Sequence, residues 1–183
     1  MKQTATLMTA QQLMELPDDA MRYELVAGEL RMSPPASHDH GAFESGIIAR
    51  LWQHCEDHAL GVVTSGDTGF LLTQNPDTVL CPDVAFVSAE RHRQRDSSEA
   101  FFPGAPDLAV EIVSASNSMR EVEQKAQQYL AAGATLVWVI NPQRRAATEY
   151  APTKPPVTLG ISDALDGGAV VPGFRLPLRR IFR

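Results

Sequence analysis

Pro106-Asp107-Leu108-Ala109-Val110-Glu111-Ile112-Val113-Ser114 is the stretch whose reading decides the fold. It is short, mostly aliphatic or β-branched, and introduced by a proline, which is the composition of a buried strand. Strand side chains alternate between faces, so Leu108, Val110 and Ile112 share one face. Asp107, Ala109, Glu111 and Val113 share the other. A carboxylate in the middle of such a run is costly to bury alone. Glu111 therefore needs a cation, a hydrogen-bond donor or a raised pKa, and both fold and function turn on which it has.

Outward toward the C-terminus, Ser118-Met119-Arg120-Glu121 reads as a capping box that opens a helix. That helix runs to Ala132 and stops at Gly133. Thr135 to Ile140, carrying Trp138, is a second buried strand closed by Asn141-Pro142. Weaker strands are expected at Thr148 to Ala151 and Val157 to Ile161, followed by a turn at Asp166-Gly167-Gly168 and an apolar tail.

Toward the N-terminus, Val79 to Val87 is expected as one strand. Pro82 inside it cannot donate to a ladder and marks an edge, a bulge or a strand start. Ser88 to Pro106 reads as a polar surface loop with one helical turn, carrying Arg91, Arg93 and Arg95. Strands are expected at Val62 to Ser65 and Thr68 to Thr73, and a turn at Asn75-Pro76-Asp77. A helix from His38 to His58 presents Phe43, Ile47, Leu51 and Cys55 as one stripe, with Gly61 ending it. Before it lie a strand pair, Tyr23 to Val26 and Glu29 to Met32, turning at Ala27-Gly28, and a short helix capped by Thr9. The order predicts an α/β (α+β) fold, a mixed sheet flanked by helices, as a single domain over residues 1–183.

Bulk properties narrow the function classes. The 183 residues are 44% hydrophobic and 21% charged, as in a globular domain with a real core. No apolar run approaches the ~20 residues of a membrane helix, and Met1 to Gln12 lacks a signal-peptide pattern. A cytoplasmic protein is expected. Two cysteines exclude a disulfide scaffold or a cysteine-built zinc cluster. A net charge of −6 argues against a generic nucleic-acid coat, although a local basic patch is compatible with it.

Asp107 and Glu111 lie ~13 Å apart along their strand, too far to grip one ion. Asp83 is the better partner if its strand pairs beside that of Glu111. Two converging carboxylates suit Mg²⁺ or Mn²⁺ with water completing the shell. Lys125 shares a helical stripe with Val122, Ala126 and Tyr129, which would turn its ammonium toward Glu111, where it could steady charge on a phosphate.

At these residues the chain resembles a family. Tyr23-Glu24-Leu25-Val26-Ala27-Gly28-Glu29-Leu30, Pro34, His40, Pro82-Asp83-Val84 and the 106–114 stretch follow its order. So do Lys125, Tyr129, Ala132-Gly133, Trp138-Val139-Ile140-Asn141-Pro142 and Val171-Pro172-Gly173-Phe174-Arg175-Leu176. The ordered set is similar to the bacterial Uma-two family of restriction-endonuclease-like proteins, in the PD-(D/E)xK nuclease superfamily. The resemblance implies a restriction-endonuclease-like core, Asp83 and Glu111 as metal ligands, and DNA as substrate. The superfamily's lysine two residues after the glutamate is Val113 here, and Lys125 stands where similar proteins supply it from the following helix. Ala115 and Asn141 replace a more usual proline and aspartate.

Each candidate has a plainer alternative. Asp83 could cap backbone donors, Glu111 could form a buried ion pair with Lys125, and Lys125 could pair with Glu121 on the surface. His40 is expected to bond locally at its helix start and is an auxiliary candidate for orienting a water or phosphate. Glu24 and Glu29 are expected to face solvent or a basic neighbour, with Glu24 a second auxiliary candidate. Asp107 reads as a strand-entry residue with backbone partners. Arg91, Arg93 and Arg95 are an ordinary solvated loop or a place to touch phosphates. The reading is a Mg²⁺- or Mn²⁺-dependent endonuclease cutting DNA as a homodimer. The alternative is a weak or inactive nuclease fold used as a binding or regulatory module.

Overall fold

Between Leu80 and Val84 the chain leaves one sheet and enters another, and this crossing positions everything that follows. The expected single strand Val79 to Val87 is two strands in the computed structural model, which describes residues 7–17, 19, 21–114 and 118–182. They are β5, Thr78–Leu80, and β6, Val84–Ser88. Pro82 lies in the break, where its missing N–H costs no ladder bond.

Before the break, α1 (Ala10–Met14) is opened by the Thr9–Gln12 capping box. The strands β1 (Arg22–Val26) and β2 (Glu29–Ser33) pair antiparallel. Both turn residues between them have positive φ, 50° at Ala27 and 79° at Gly28, the geometry a two-residue hairpin demands. Helix α2 (His38–Asp57) follows, with Ile47, Leu51 and Cys55 buried on the expected stripe. It ends at Asp57 without help from Gly61. Gly61 instead opens β3 (Gly61–Ser65), where a Cβ would collide with the Val87 carbonyl of the neighbouring strand. Strand β4 (Phe70–Thr73) completes this half.

After the break, the expected loop from Ser88 is more ordered than its polarity suggested. It contains α3 (Ala89–Gln94) and the two-residue strand β7 (Phe102–Pro103). The anchor is Asp107, whose carboxylate accepts the Ser88 N–H at 2.7 Å and the Arg91 guanidinium at 2.9 Å. Then come β8 (Leu108–Ile112), α4 (Met119–Ala131) and β9 (Leu136–Asn141). The remaining strands are β10 (Ala146–Tyr150), β11 (Val157–Leu159), β12 (Ala164–Asp166) and β13 (Arg175–Pro177). Ala115 lies outside the described residues.

The larger sheet has the order β11-β10-β9-β8-β6-β3 and the smaller β2-β1-β5-β4-β7, with β12 and β13 paired separately. The sheets are mixed. β8 and β9 are parallel, with α4 as crossover, and the other neighbours of the large sheet are antiparallel. Alternation along β8 sorts the core. Leu108, Val110 and Ile112 pack with the α2 stripe, Trp138 and the C-terminal Phe174, Leu176 and Phe182. Ala109 packs on the other face with Val122, Ala126 and Tyr129 of α4, and with Phe70 and Leu80 of the smaller sheet. Fully buried side chains of this size contribute roughly 1.5–3 kcal/mol each. No helix among the described residues is long and apolar enough to cross a membrane.

Candidate active site

The two sheets and both long helices meet around a set of buried charges. The antiparallel register of β6 and β8 pairs Val84 with Val110 and Ala85 with Ala109. Continued by one residue, it sets Asp83 across from Glu111. Both are almost fully buried, at 1% and 2% exposure, which forces each to find partners.

Asp83 Oδ2 accepts the Ile112 backbone N–H at 2.7 Å, so one oxygen does cap a backbone donor. Its Oδ1 faces the Arg22 guanidinium, Nη1 at 3.0 Å, and the His40 imidazole, Nε2 at 3.2 Å. Burial alone would raise the Asp83 pKa. The His40 hydrogen bond and charge, with Arg22 and the Ile112 amide, outweigh it and hold the carboxyl below its usual range. The same contact with Asp83 raises the His40 pKa. His40 Nδ1 is buried without a hydrogen-bond partner among the described residues.

Glu111 sits under α4. Tyr129 donates its hydroxyl to Oε1 at 2.8 Å, and Lys125 Nζ stands 3.7 Å from the same oxygen. Burial drives the Glu111 pKa up to about 7. Asp83 and Glu24 push in the same direction, while Lys125 and Tyr129 only partly offset them. Lys125 is closer to Glu24, donating to its Oε1 at 2.8 Å, and that oxygen also accepts the Cys81 N–H at 2.8 Å. Of the two expected settings for Glu24, solvent or a basic neighbour, the structure has the second: Glu24 is buried against Lys125, because β1 stands beside β5 and its carboxylate replaces a ladder partner at Cys81. Glu29 does remain at the surface, paired with Arg31. Burial would lower the Lys125 pKa, but Glu111 and Glu24 raise it, so the amine stays charged.

The structure thus gathers Asp83, Glu111, Lys125, His40 and Glu24. The surface pairing of Lys125 with Glu121 does not form, since Glu121 turns back onto Ser118 in the capping box. Arg91 is held by Asp107 and the Ala105 carbonyl, and it takes no part in the site. Arg93 and Arg95 are exposed on and after α3. Three further residues contribute that are not site candidates in the sequence reading. Arg22 is two residues before Glu24 on one strand face, Tyr129 is one helical turn past Lys125, and Glu44 is one turn past His40. Glu44 accepts the Gly66 N–H at 3.2 Å close to Arg22, so it borders the cluster.

The donor set suits a hard cation. Asp83, Glu111 and Glu24 offer carboxylate oxygens, the ligands of Mg²⁺ and Mn²⁺. The one soft candidate, Cys81, has its thiol pushed up to about 12, by burial and then by Glu24, and stays protonated. As the side chains lie, no three His, Cys, Asp or Glu groups among the described residues are placed to hold an ion together. Arg22, His40 and Lys125 stand at the carboxylate oxygens instead. Placing a cation between Asp83 and Glu111 would require at least one of these groups to move, and would favour the ionised form of Glu111 against its burial and the neighbouring carboxylates.

A family model described as "Uma2: Putative restriction endonuclease" matches residues 10–179. A crystal structure of a "putative nuclease belonging to DUF820" from Anabaena variabilis ATCC 29413 is similar, with a TM-score of 0.83 at 17% sequence identity. The match covers 96% of this chain and 97% of that one, and at this identity it speaks for the fold. No curated protein matches significantly.

Proposed function

The chain belongs to the Uma2 family, and from that premise we propose that it is a Mg²⁺- or Mn²⁺-dependent endonuclease hydrolysing DNA phosphodiester bonds. The observation that carries this reading is the pair of buried carboxylates, Asp83 and Glu111, facing each other on adjacent strands with Lys125 Nζ 3.7 Å from the second. Asp83 and Glu111 would hold the ion, with Glu24 a further carboxylate at the edge of the cluster. A divalent ion so held supplies the charge that polarises a phosphodiester and acidifies an attacking water.

The chain's own groups do the rest. Tyr129 fixes the rotamer of Glu111 through its 2.8 Å hydrogen bond. Lys125 places a positive charge at the edge of the cluster, suited to orienting water or meeting charge that builds on a phosphate. Glu24 holds that amine in place while no substrate is bound. Arg22 and His40 keep Asp83 ionised, the form a metal ligand must take.

One observation favours the alternative of a nuclease fold kept as a binding or regulatory module. Each acidic group of the cluster already has a cationic partner within the protein: Asp83 has Arg22, beside the His40 imidazole, and Glu24 and Glu111 share Lys125. Cleavage of supercoiled plasmid with Mg²⁺ or Mn²⁺ separates the two. The nuclease reading expects nicking by the wild type that stops on chelation and is lost in Glu111→Gln. Equal nicking by Glu111→Gln, or none by the wild type, favours the module.

A further inference from the structure

We propose that the groove beside this cluster is the track of a nucleic-acid backbone, with Arg31, Arg120 and Arg144 as its phosphate contacts. This rests on the nuclease reading and adds the surface on which the substrate lies. The groove encloses about 1330 Å³. The β1–β2 ribbon forms one wall, the first turns of α4 the floor, and the β9–β10 turn with β11 the other wall.

Charge singles the groove out. Five cationic side chains line it, Arg22, Arg31, Arg120, Lys125 and Arg144, against three glutamates and no aspartate. The chain as a whole carries −6, so the groove departs from the rest of the molecule in sign. Two of the three glutamates are already engaged, Glu24 by Lys125 and Glu121 by Ser118. Arg120 and Arg144 are exposed, and neither forms a salt bridge among the described residues. Arg31 pairs with Glu29 at 2.9 Å where both are well exposed, a screened contact that a phosphate can displace.

Position supplies the second argument. The groove closes onto Arg22, Glu24 and Lys125, each bonded to the buried cluster or part of it. A backbone lying along the three arginines therefore runs past the amine nearest Glu111. Contacts of this kind set register and orientation without reading bases. Binding through them is insensitive to sequence and steeply dependent on salt. An acidic molecule with one cationic groove also steers a polyanion into that groove and away from its other faces.

The test uses the full chain, fluorescence anisotropy and end-labelled DNA duplexes of two unrelated sequences, without divalent metal, across a salt series. Three proteins are compared: wild type, the double variant Arg120→Glu with Arg144→Glu, and the double variant Arg179→Glu with Arg180→Glu. The last makes the same charge change at exposed residues outside the groove. The wild type should bind both duplexes alike. The groove variant should bind both about tenfold more weakly or worse, and its salt slope should shrink by roughly 2, as expected when two phosphate contacts are lost. The 179/180 variant should stay close to wild type. Wild-type affinity in the groove variant, or equal losses in both variants, overturns the groove while leaving the nuclease reading in place. Absence of binding by the wild type also overturns the groove, while the nuclease reading stands or falls on plasmid cleavage with metal.

Discussion

Lys125 is the residue on which the two readings of the cluster diverge most. Its amine is 2.8 Å from Glu24 and 3.7 Å from Glu111, so it serves two buried carboxylates at once. Lys125→Met keeps the stem volume and removes the charge. In the absence of metal this should cost about 3–5 kcal/mol of stability, the scale for stranding a buried charge. Denaturant unfolding measures it. The same substitution should lower plasmid cleavage by roughly a hundredfold, the scale for losing one electrostatic stabiliser, while metal binding survives or tightens. Unchanged cleavage would remove Lys125 from the chemistry, and unchanged stability would show that neither ion pair matters to the fold. Much of this was legible beforehand. Strand parity places Glu111 among apolar neighbours, and helical spacing places Lys125 with Val122, Ala126 and Tyr129. Arg22 was legible too, since i, i+2 parity sets it beside Glu24, but nothing local says that this strand face looks into the protein.

At the scale of elements, α4 joins the parallel strands β8 and β9 and carries both Lys125 and Tyr129. Its start depends on a capping box in which Ser118 and Glu121 satisfy each other's donors. The bonds from the Ser118 N–H and hydroxyl depress the Glu121 pKa. A depressed carboxyl contributes stability that is fully present above its unfolded-state value and is lost as pH falls through the folded-state value. The amides at the start of α4 should therefore lose hydrogen-exchange protection below about pH 4.5, the ordinary glutamate value. Glu121→Gln should flatten that dependence; an equally pH-sensitive helix start in the variant would place the cause elsewhere. Periodicity revealed α2, α4 and β9 because their patterns are local and long. It did not reveal that Leu80 and Val84 belong to different sheets. Pro82 marked an interruption, but sheet membership is set by pairing with β1 on one side and β8 on the other, far away in sequence. In the 88–106 segment the helical turn and the exposed polar stretch are legible, and the anchoring is not, for a related reason. Its order comes from Asp107 reaching back to Ser88 and Arg91, which polarity alone does not reveal.

Across the whole molecule, two sheets of different strand order meet at one point, and the buried charge of the protein is concentrated there. Folding such a junction without a bound cation leaves Glu111 under repulsion from Asp83 and Glu24. A ligand that binds only the folded junction stabilises it by mass action, by about 2.7 kcal/mol at a hundredfold excess over Kd. For a chain of this length that is roughly 5–10 °C in melting temperature. Melting curves with Mn²⁺ should show it in the wild type and not in Asp83→Asn; a flat response in the wild type counts against the site. The central claim, that Asp83 and Glu111 together hold one divalent ion, is tested most directly by calorimetric titration of Mn²⁺ into wild type, Asp83→Asn and Glu111→Gln. The account predicts saturable binding to one site in the wild type and affinity about tenfold lower or worse in each variant. Equal binding in all three proteins, or no binding heat in the wild type, would contradict it.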